Sequence, residues 1–211
     1  MKITYAVTTH NEGKCINLLL DQLIPLVDDG HQVIILDDYS TDKDTLDILD
    51  RVSNVCGIPV HKHALDNDFA EHKNQISEYA EGEFIFQIDA DELLSDNLLH
   101  HLEDVLIMNP AMMMVAVPRV NIVNGLTMND ITAWRWAVND QGWVMWPDYQ
   151  TRIYRNSKFI KWKNKVHETL TYTGPGSWEV SQLPAEEEWA LRHTKTIERQ
   201  RKQNAFYDTL V

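Results

Sequence analysis

Phe84-Ile85-Phe86-Gln87-Ile88-Asp89-Ala90-Asp91-Glu92 is an apolar run that ends in carboxylates one residue apart. In extended backbone, residues i and i+2 project to the same face, so Asp89 and Asp91 are expected to converge just past a strand end. Oxygen-bearing pairs so placed suit a hard divalent cation, Mg²⁺ or Mn²⁺, that keeps positions open for phosphate oxygens. The same spacing recurs in Asp42-Lys43-Asp44 and Asp66-Asn67-Asp68, but neither copy follows an apolar strand. The alternative is that Asp91 only caps the turn that follows.

Upstream of that strand, short β-branched runs alternate with helical patterns. Ile3 to Thr8, Val33 to Leu36 and Ile58 to His61 read as strands. Helices are predicted from about Glu12 to Val27, where Pro25 disturbs or ends the pattern, from Thr45 to Val52, and from Asp68 to Tyr79 with Asp68 as cap. Such interleaving predicts a doubly wound α/β sheet, in which ligands collect beyond the carboxyl ends of strands. Polar residues fall at those ends: Thr8-Thr9-His10-Asn11-Glu12, Asp37-Asp38-Tyr39-Ser40 and Asp89-Ala90-Asp91. Beyond about residue 110 the pattern changes. All seven tryptophans lie between Trp134 and Trp189, and Met112 to Val117 and Gln150 to Tyr154 read as strands without regular helices between them. A last amphipathic helix is expected from about Thr196 to Leu210. The expectation is one domain over 1–211, with a nucleotide-binding half to about 110 and an acceptor-side half from about 111.

The 211 residues carry a net charge of −13, which argues against nucleic acid as a partner, since such binding needs Lys and Arg to neutralise phosphates. The two cysteines have neither metal-type nor disulfide-type spacing and point to a reducing compartment. With no signal-like apolar region and no run long enough to cross a bilayer, the expectation is a cytoplasmic protein; peripheral attachment to the inner face of a membrane stays open. One local basic stretch, Arg152, Arg155, Lys158, Lys161, Lys163 and Lys165, would suit an anionic substrate or form a solvated surface.

Taken together, the motifs resemble glycosyltransferase family 2, built on the nucleotide-sugar-binding fold called GT-A. Val7-Thr8-Thr9-His10-Asn11-Glu12 is similar to that family's opening strand and turn. Asp37-Asp38-Tyr39-Ser40-Thr41-Asp42 resembles its Asp-Asp-Gly-Ser-x-Asp turn, with Tyr39 where Gly is usual. Phe69-Ala70-Glu71-His72-Lys73-Asn74 resembles a helix start ending in a basic residue and Asn, and Asp89-Ala90-Asp91-Glu92 falls at the metal motif. The second half is similar to the subgroup containing bacterial lipopolysaccharide-core glucosyltransferases, through Trp146 to Tyr154, Lys165-Val166-His167-Glu168 and His193. The Gln-x-x-Arg-Trp signature of processive synthases is absent, so a single sugar transfer is the natural reading.

The resemblance implies an inverting transferase that uses a nucleoside-diphosphate sugar, preferably UDP-linked, with a glycan or glycolipid hydroxyl as acceptor. It places Thr8, Asp38, Lys73 and Asn74 at the nucleotide, Asp91 at Mn²⁺ or Mg²⁺, and Asp89 at metal, water or ribose; His167 and His193 could complete the metal's coordination or bond the diphosphate. Glu168 leads as the base that activates the acceptor, with Asp148 as runner-up. Trp134, Trp136, Trp143 and Trp146 offer faces for an acceptor sugar, or fill core. A nucleotide-sugar-binding module without turnover is one alternative; a nucleotidyltransferase is another, though no glycine-rich phosphate loop follows the first strand.

Overall fold

The computed structural model describes residues 1–207. Strand and helix alternate through β1 (Ile3–Thr9), α1 (Gly13–Asp28), β2 (Gln32–Asp37), α2 (Lys43–Cys56), β3 (Val60–Lys62), α3 (Phe69–Asn74), α4 (Ile76–Tyr79) and β4 (Phe84–Asp89). Next come β5 (Glu92–Leu94), α5 (Asp96–His100), α6 (Leu102–Met108), β6 (Met114–Val117), β7 (Arg119–Asn124) and α7 (Met128–Trp134). They are followed by β8 (Gln150–Arg155), β9 (Ile160–Lys163), β10 (Thr169–Tyr172), β11 (Val180–Gln182), β12 (Leu191–Thr196) and α8 (Ile197–Tyr207).

A seven-stranded sheet runs in the order β11-β6-β8-β4-β1-β2-β3. Within it β8 is antiparallel to both neighbours and the other pairings are parallel. This is the expected α/β class, a large and mostly parallel sheet between helices. Parallel strands covered on both faces need apolar side chains in both directions. Ile3, Tyr5 and Val7 accordingly join Leu19, Leu20 and Leu23 of α1 in one cluster, while Ala6, Ile34 and Leu36 join Ile76 and Trp162 in another. Each fully buried Leu, Ile, Val or Phe contributes about 1.5–3 kcal/mol.

Register then sets the site. β1 and β4 pair Thr8 with Asp89, and β1 and β2 pair Thr9 with Asp37, so the polar strand ends form one rim. Opposite the rim stands a three-stranded sheet, β5-β12-β7.

Several local expectations change. Pro25 lies inside α1, which continues to Asp28; the apolar face of Leu19, Leu20, Leu23 and Leu26 outweighs the one missing hydrogen bond. The helix foreseen over 68–79 is two, α3 and α4, although Asp68 does cap the first by accepting from the Glu71 N–H. The second half contains α7, nucleated by a Thr127–Asp130 capping box that is readable in the sequence. The inward contacts of α8 are mostly polar rather than amphipathic, with Ile197 its apolar anchor; the residues beyond 207 that were assigned to this helix lie outside those described. Among the described residues no helix is long and apolar enough to cross a membrane.

Candidate active site

A cavity of about 600 Å³ opens between the rim and the three-stranded sheet. Thr8, Asp38, Lys73, Asp89, Asp91, Asp148, His167, Glu168 and His193 all line it. Asn74 does not. Its amide pins α3 to β9, donating to the Trp162 carbonyl at 3.0 Å and accepting the Trp162 N–H at 2.9 Å. Of the four candidate tryptophans, Trp136 reaches the cavity; Trp134 packs on Trp136 at a tilt, and Trp143 and Trp146 pack on each other edge to face. The basic stretch does not stay together: Arg152 lies in the cavity wall, whereas Lys161 bonds Ser77 and Arg155 the carbonyls of Pro110 and Met112.

Two turns shape the first end. The buried Asp37 carboxylate takes the Ser40 N–H on both oxygens, and Asn11 takes the Thr41 and Asp42 N–H groups. Tyr39 holds φ +45, so the turn keeps the left-handed backbone for which glycine is usual, at a steric cost of about 1 kcal/mol. Asp38 then projects into the cavity, with one oxygen accepting the Leu65 N–H at 2.8 Å and the other 3.4 Å from His10. Beside it, His72 is 4% exposed, and burial pulls its imidazole down to about 4, so it is neutral at physiological pH.

Asp89 is densely bonded. One oxygen accepts from Thr8 at 3.1 Å and Gln87 at 3.0 Å, and the other from Arg152 at 2.6 Å. Burial alone would raise this carboxyl, but the Arg152 guanidinium and the Lys73 ammonium hold it well below the usual carboxylate range. Arg152 also meets the fully buried Glu92, which in turn meets Arg119, which holds Asp148. Asp89, Arg152, Glu92, Arg119 and Asp148 thus form one continuous chain of ion pairs.

Asp91 has other neighbours. Its Oδ2 lies 3.1 Å from His193 Nε2 and 2.9 Å from the Arg199 guanidinium, which also clasps Glu12. The His193 tautomer follows from the next shell. Asp148 can only accept, so Asn121 turns its NH₂ toward it at 2.8 Å and its carbonyl toward His193 Nδ1 at 2.9 Å. Nδ1 therefore carries the proton, and in the neutral ring the Nε2 lone pair faces the Asp91 carboxylate. Two electron-rich atoms so close call for a proton or a cation between them. A histidine whose far nitrogen donates to an amide oxygen is the arrangement of a metal ligand, and an oxygen-plus-imidazole donor set is one that Mn²⁺ accepts. The fit is to two ligands: among the described residues no group of three His, Cys, Asp or Glu is placed to hold a metal.

The candidate bases differ. Asp148 Oδ2 accepts from Arg119 and Asn121 and its Oδ1 from Gln150; burial would raise it, but the Arg119 charge and these bonds hold it below the usual range. A carboxylate so stabilised is a poor proton acceptor. Glu168 accepts one bond, from Lys73 at 2.6 Å, and stays 17% exposed in the cavity. Sequence reasoning missed Glu92, Arg119, Asn121, Lys195 and Arg199. Lys195, also in the cavity wall, is drawn down by burial to about 8.

The sequence profile described as "Glycosyl transferase family 2" matches residues 4–178, most of the chain. The chain belongs to that family. It is 40% identical over 96 residues to the SPbeta prophage-derived glycosyltransferase SunS of Bacillus subtilis (strain 168), and equally to glycosyltransferase SunS of Bacillus phage SPbeta. Those stretches are 44% of this chain and 21% of each relative, so the chain spans about a fifth of the curated relatives it matches. Among solved structures, S. aureus TarS 1-349 superposes with a TM-score of 0.62 at 19% identity, covering 92% of this chain and 60% of that one. The same protein in complex with UDP-GlcNAc gives a TM-score of 0.61 at 20% identity, covering 92% and 59%. These two show that the family 2 chain has the expected GT-A fold.

Proposed function

We propose that this chain transfers one sugar from a nucleoside-diphosphate sugar, UDP-linked by preference, to an acceptor hydroxyl with inversion. The observation that carries the reading is the Asp91–His193 pair, its tautomer set by Asn121, at the rim where parallel strands end. Charge supports it. Six carboxylates line the cavity (Glu12, Asp38, Asp89, Asp91, Asp148 and Glu168) against the fixed cations Lys73, Arg119, Arg152 and Lys195. A diphosphate entering alone would be repelled, so a divalent cation arriving with it is the natural complement.

In this reading Asp91 and His193 hold Mn²⁺ or Mg²⁺, and the cation, when bound, neutralises charge on the departing phosphate. Asp89, with both oxygens already accepting, organises the wall rather than ligating; His167 lines the cavity without a part in that pair. Asp38 and the neutral His72 meet the nucleobase between Leu65 and Phe69, and Thr8 faces the ribose. Lys73 orients Glu168 while leaving its second oxygen for the acceptor proton. The acceptor enters past Trp136, Val144 and Met145, an apolar flank on which a glycan or glycolipid can lie. The lipopolysaccharide-core subgroup rests on the second-half motifs, and the two-half division on the cavity's drawing its lining from both halves.

Thermal shift with UDP and UDP-sugars, with and without Mn²⁺, tests the reading. A metal-dependent rise that Asp91→Ala abolishes is the expected result; no nucleotide response in the wild type would overturn it. One observation favours binding without turnover: both candidate bases are ion-paired. Sugar released or transferred by a chain that binds UDP-sugar excludes that alternative.

A further inference from the structure

β12 turns Leu191, His193 and Lys195 to one face, because alternate residues of a strand share a side. His193 reaches Asp91. Lys195 stands one strand repeat further along, about 6.5–7 Å away, in the wall of the same cavity. It differs from the other cations in that wall and beside it. Lys73 has Glu168, Arg119 has Glu92 and Asp148, Arg152 has Asp89 and Glu92, and Arg199 has Glu12 and Asp91. Among the described residues Lys195 has no carboxylate at ion-pair distance; its Nζ donates to the uncharged Gln203 Oε1 at 2.8 Å. Asp91 and Asp148 attract it from farther off, and Arg119 and Arg199 repel it.

A half-buried ammonium satisfied by a single amide keeps donors and charge for an anionic oxygen. We infer that Lys195 is an anion seat for the donor's distal phosphate, resting on the reading of Asp91 and His193 as the place where the diphosphate is held. Its position fits. The phosphate nearest the transferred sugar lies toward the acceptor side, and the register of β12 on β7 sets Lys195 opposite Val123 of the apolar flank, two residues on from His193 opposite Asn121. Gln203 of α8 holds the ammonium until the phosphate arrives, so donor binding exchanges an amide for a charged partner, and a charge-assisted bond is roughly twice as strong as a neutral one.

The test is calorimetric titration of UDP and of uridine, each with saturating Mn²⁺, into the wild type, Lys195→Met and Lys195→Arg. Lys195→Met is expected to weaken UDP roughly 10- to 100-fold and to leave uridine unchanged, while Lys195→Arg restores most of the loss. Retained uridine binding shows that the variant is folded around its nucleoside pocket. Unchanged UDP affinity in Lys195→Met overturns the assignment. Unchanged UDP affinity with a raised KM for an anionic acceptor overturns it in favour of the acceptor's own anion. Equal loss of uridine and UDP overturns it in favour of a structural role. A wild type that binds neither compound overturns the nucleotide reading as well, which separates that failure from the others.

Discussion

Asp89 and Asp91 are two residues apart at the end of β4 and belong to different regions. Around Asp89 the bonding is dense: Arg152, Gln87 and Thr8 lie on strands of the central sheet, the buried Glu92 joins them from β5, and Arg152 is 4% exposed while Asp89 itself keeps 33% of its side chain open. Around Asp91 the partners come from the last part of the chain, His193 on β12 and Arg199 on α8, and Arg199 is 40% exposed. The first carboxylate neutralises a buried guanidinium; the second sits where charge can be exchanged. In the proposed reading one short motif supplies a structural and a functional group. Removing one partner of a buried ion pair strands the other's charge. Arg152→Met is therefore expected to cost about 3–5 kcal/mol in urea unfolding. Asp91→Ala should cost clearly less than that, because Arg199 keeps Glu12 as a partner, yet lose about 100-fold or more in transfer. Equal destabilisation by both variants would break the contrast.

The candidate bases sharpen it. Both line the cavity, but Asp148 has both oxygens engaged in the Arg119–Glu92 network, whereas Glu168 accepts from Lys73 through one oxygen. Glu168→Gln keeps the shape and the Lys73 contact, and should lower kcat by roughly 10²–10⁴ with donor affinity retained. Asp148→Asn should act mainly through stability, because it weakens the anchor that aligns Asn121 and, through it, His193. A dead Asp148→Asn enzyme with normal melting would exchange the two roles.

The densely bonded side also carries a pH signature. His72 has its imidazole pulled from an ordinary 6.5 to about 4. Between those values the unfolded chain binds a proton that the folded chain refuses, so stability falls as pH drops through this window, by about 2 kcal/mol at pH 5. Asp89, depressed below its ordinary 3.8, adds stability that is present above that value and lost as pH falls further. Urea midpoints for the wild type and His72→Gln should therefore diverge on moving from pH 7.5 to pH 5, with the variant's slope the flatter; parallel slopes would remove His72 from the account.

Much of the first half was legible because its signals are local. β-branched runs, the Asp68 cap and polar residues at strand ends each act within a few positions, and they located the rim. Pro25 and the break at Gln75 were misjudged because tertiary packing overrides propensity there. The antiparallel insertion of β8 between β4 and β6 was not foreseen at all, since no local pattern encodes a pairing of Phe84 with Arg155 across the chain. The same holds for the site. Arg152 was seen as one of a basic run, yet strand alternation separates it from its neighbours. A usable signal did exist in two strands: polar side chains recur at every second position among apolar ones, in Gln87 and Asp89 of β4 and in Arg119 and Asn121 of β7. Such rows are what a cavity wall built from strands requires.

The smallest effect concerns the open side. Arg199 joins Glu12 to Asp91 through one guanidinium, and α8 is otherwise fastened by Ile197 and by polar bonds such as Lys195–Gln203 and Arg201–Asp130. Burial raises the Glu12 carboxyl, and Arg199 offsets only part of that. A divalent cation drawn to Asp91 and His193 competes with this guanidinium for the same oxygen, because two positive charges a few ångströms apart repel. Arg199→Gln removes the competitor and leaves the cavity's other partners in place. Mn²⁺ should then bind a few-fold tighter, a change of under about 1 kcal/mol, while the glutamine amide can still donate to Glu12 and limits the loss in thermal stability. Weaker Mn²⁺ binding in Arg199→Gln would instead mean that α8, latched by this residue, helps to shape the seat, and the open side would then be as structural as the densely bonded one.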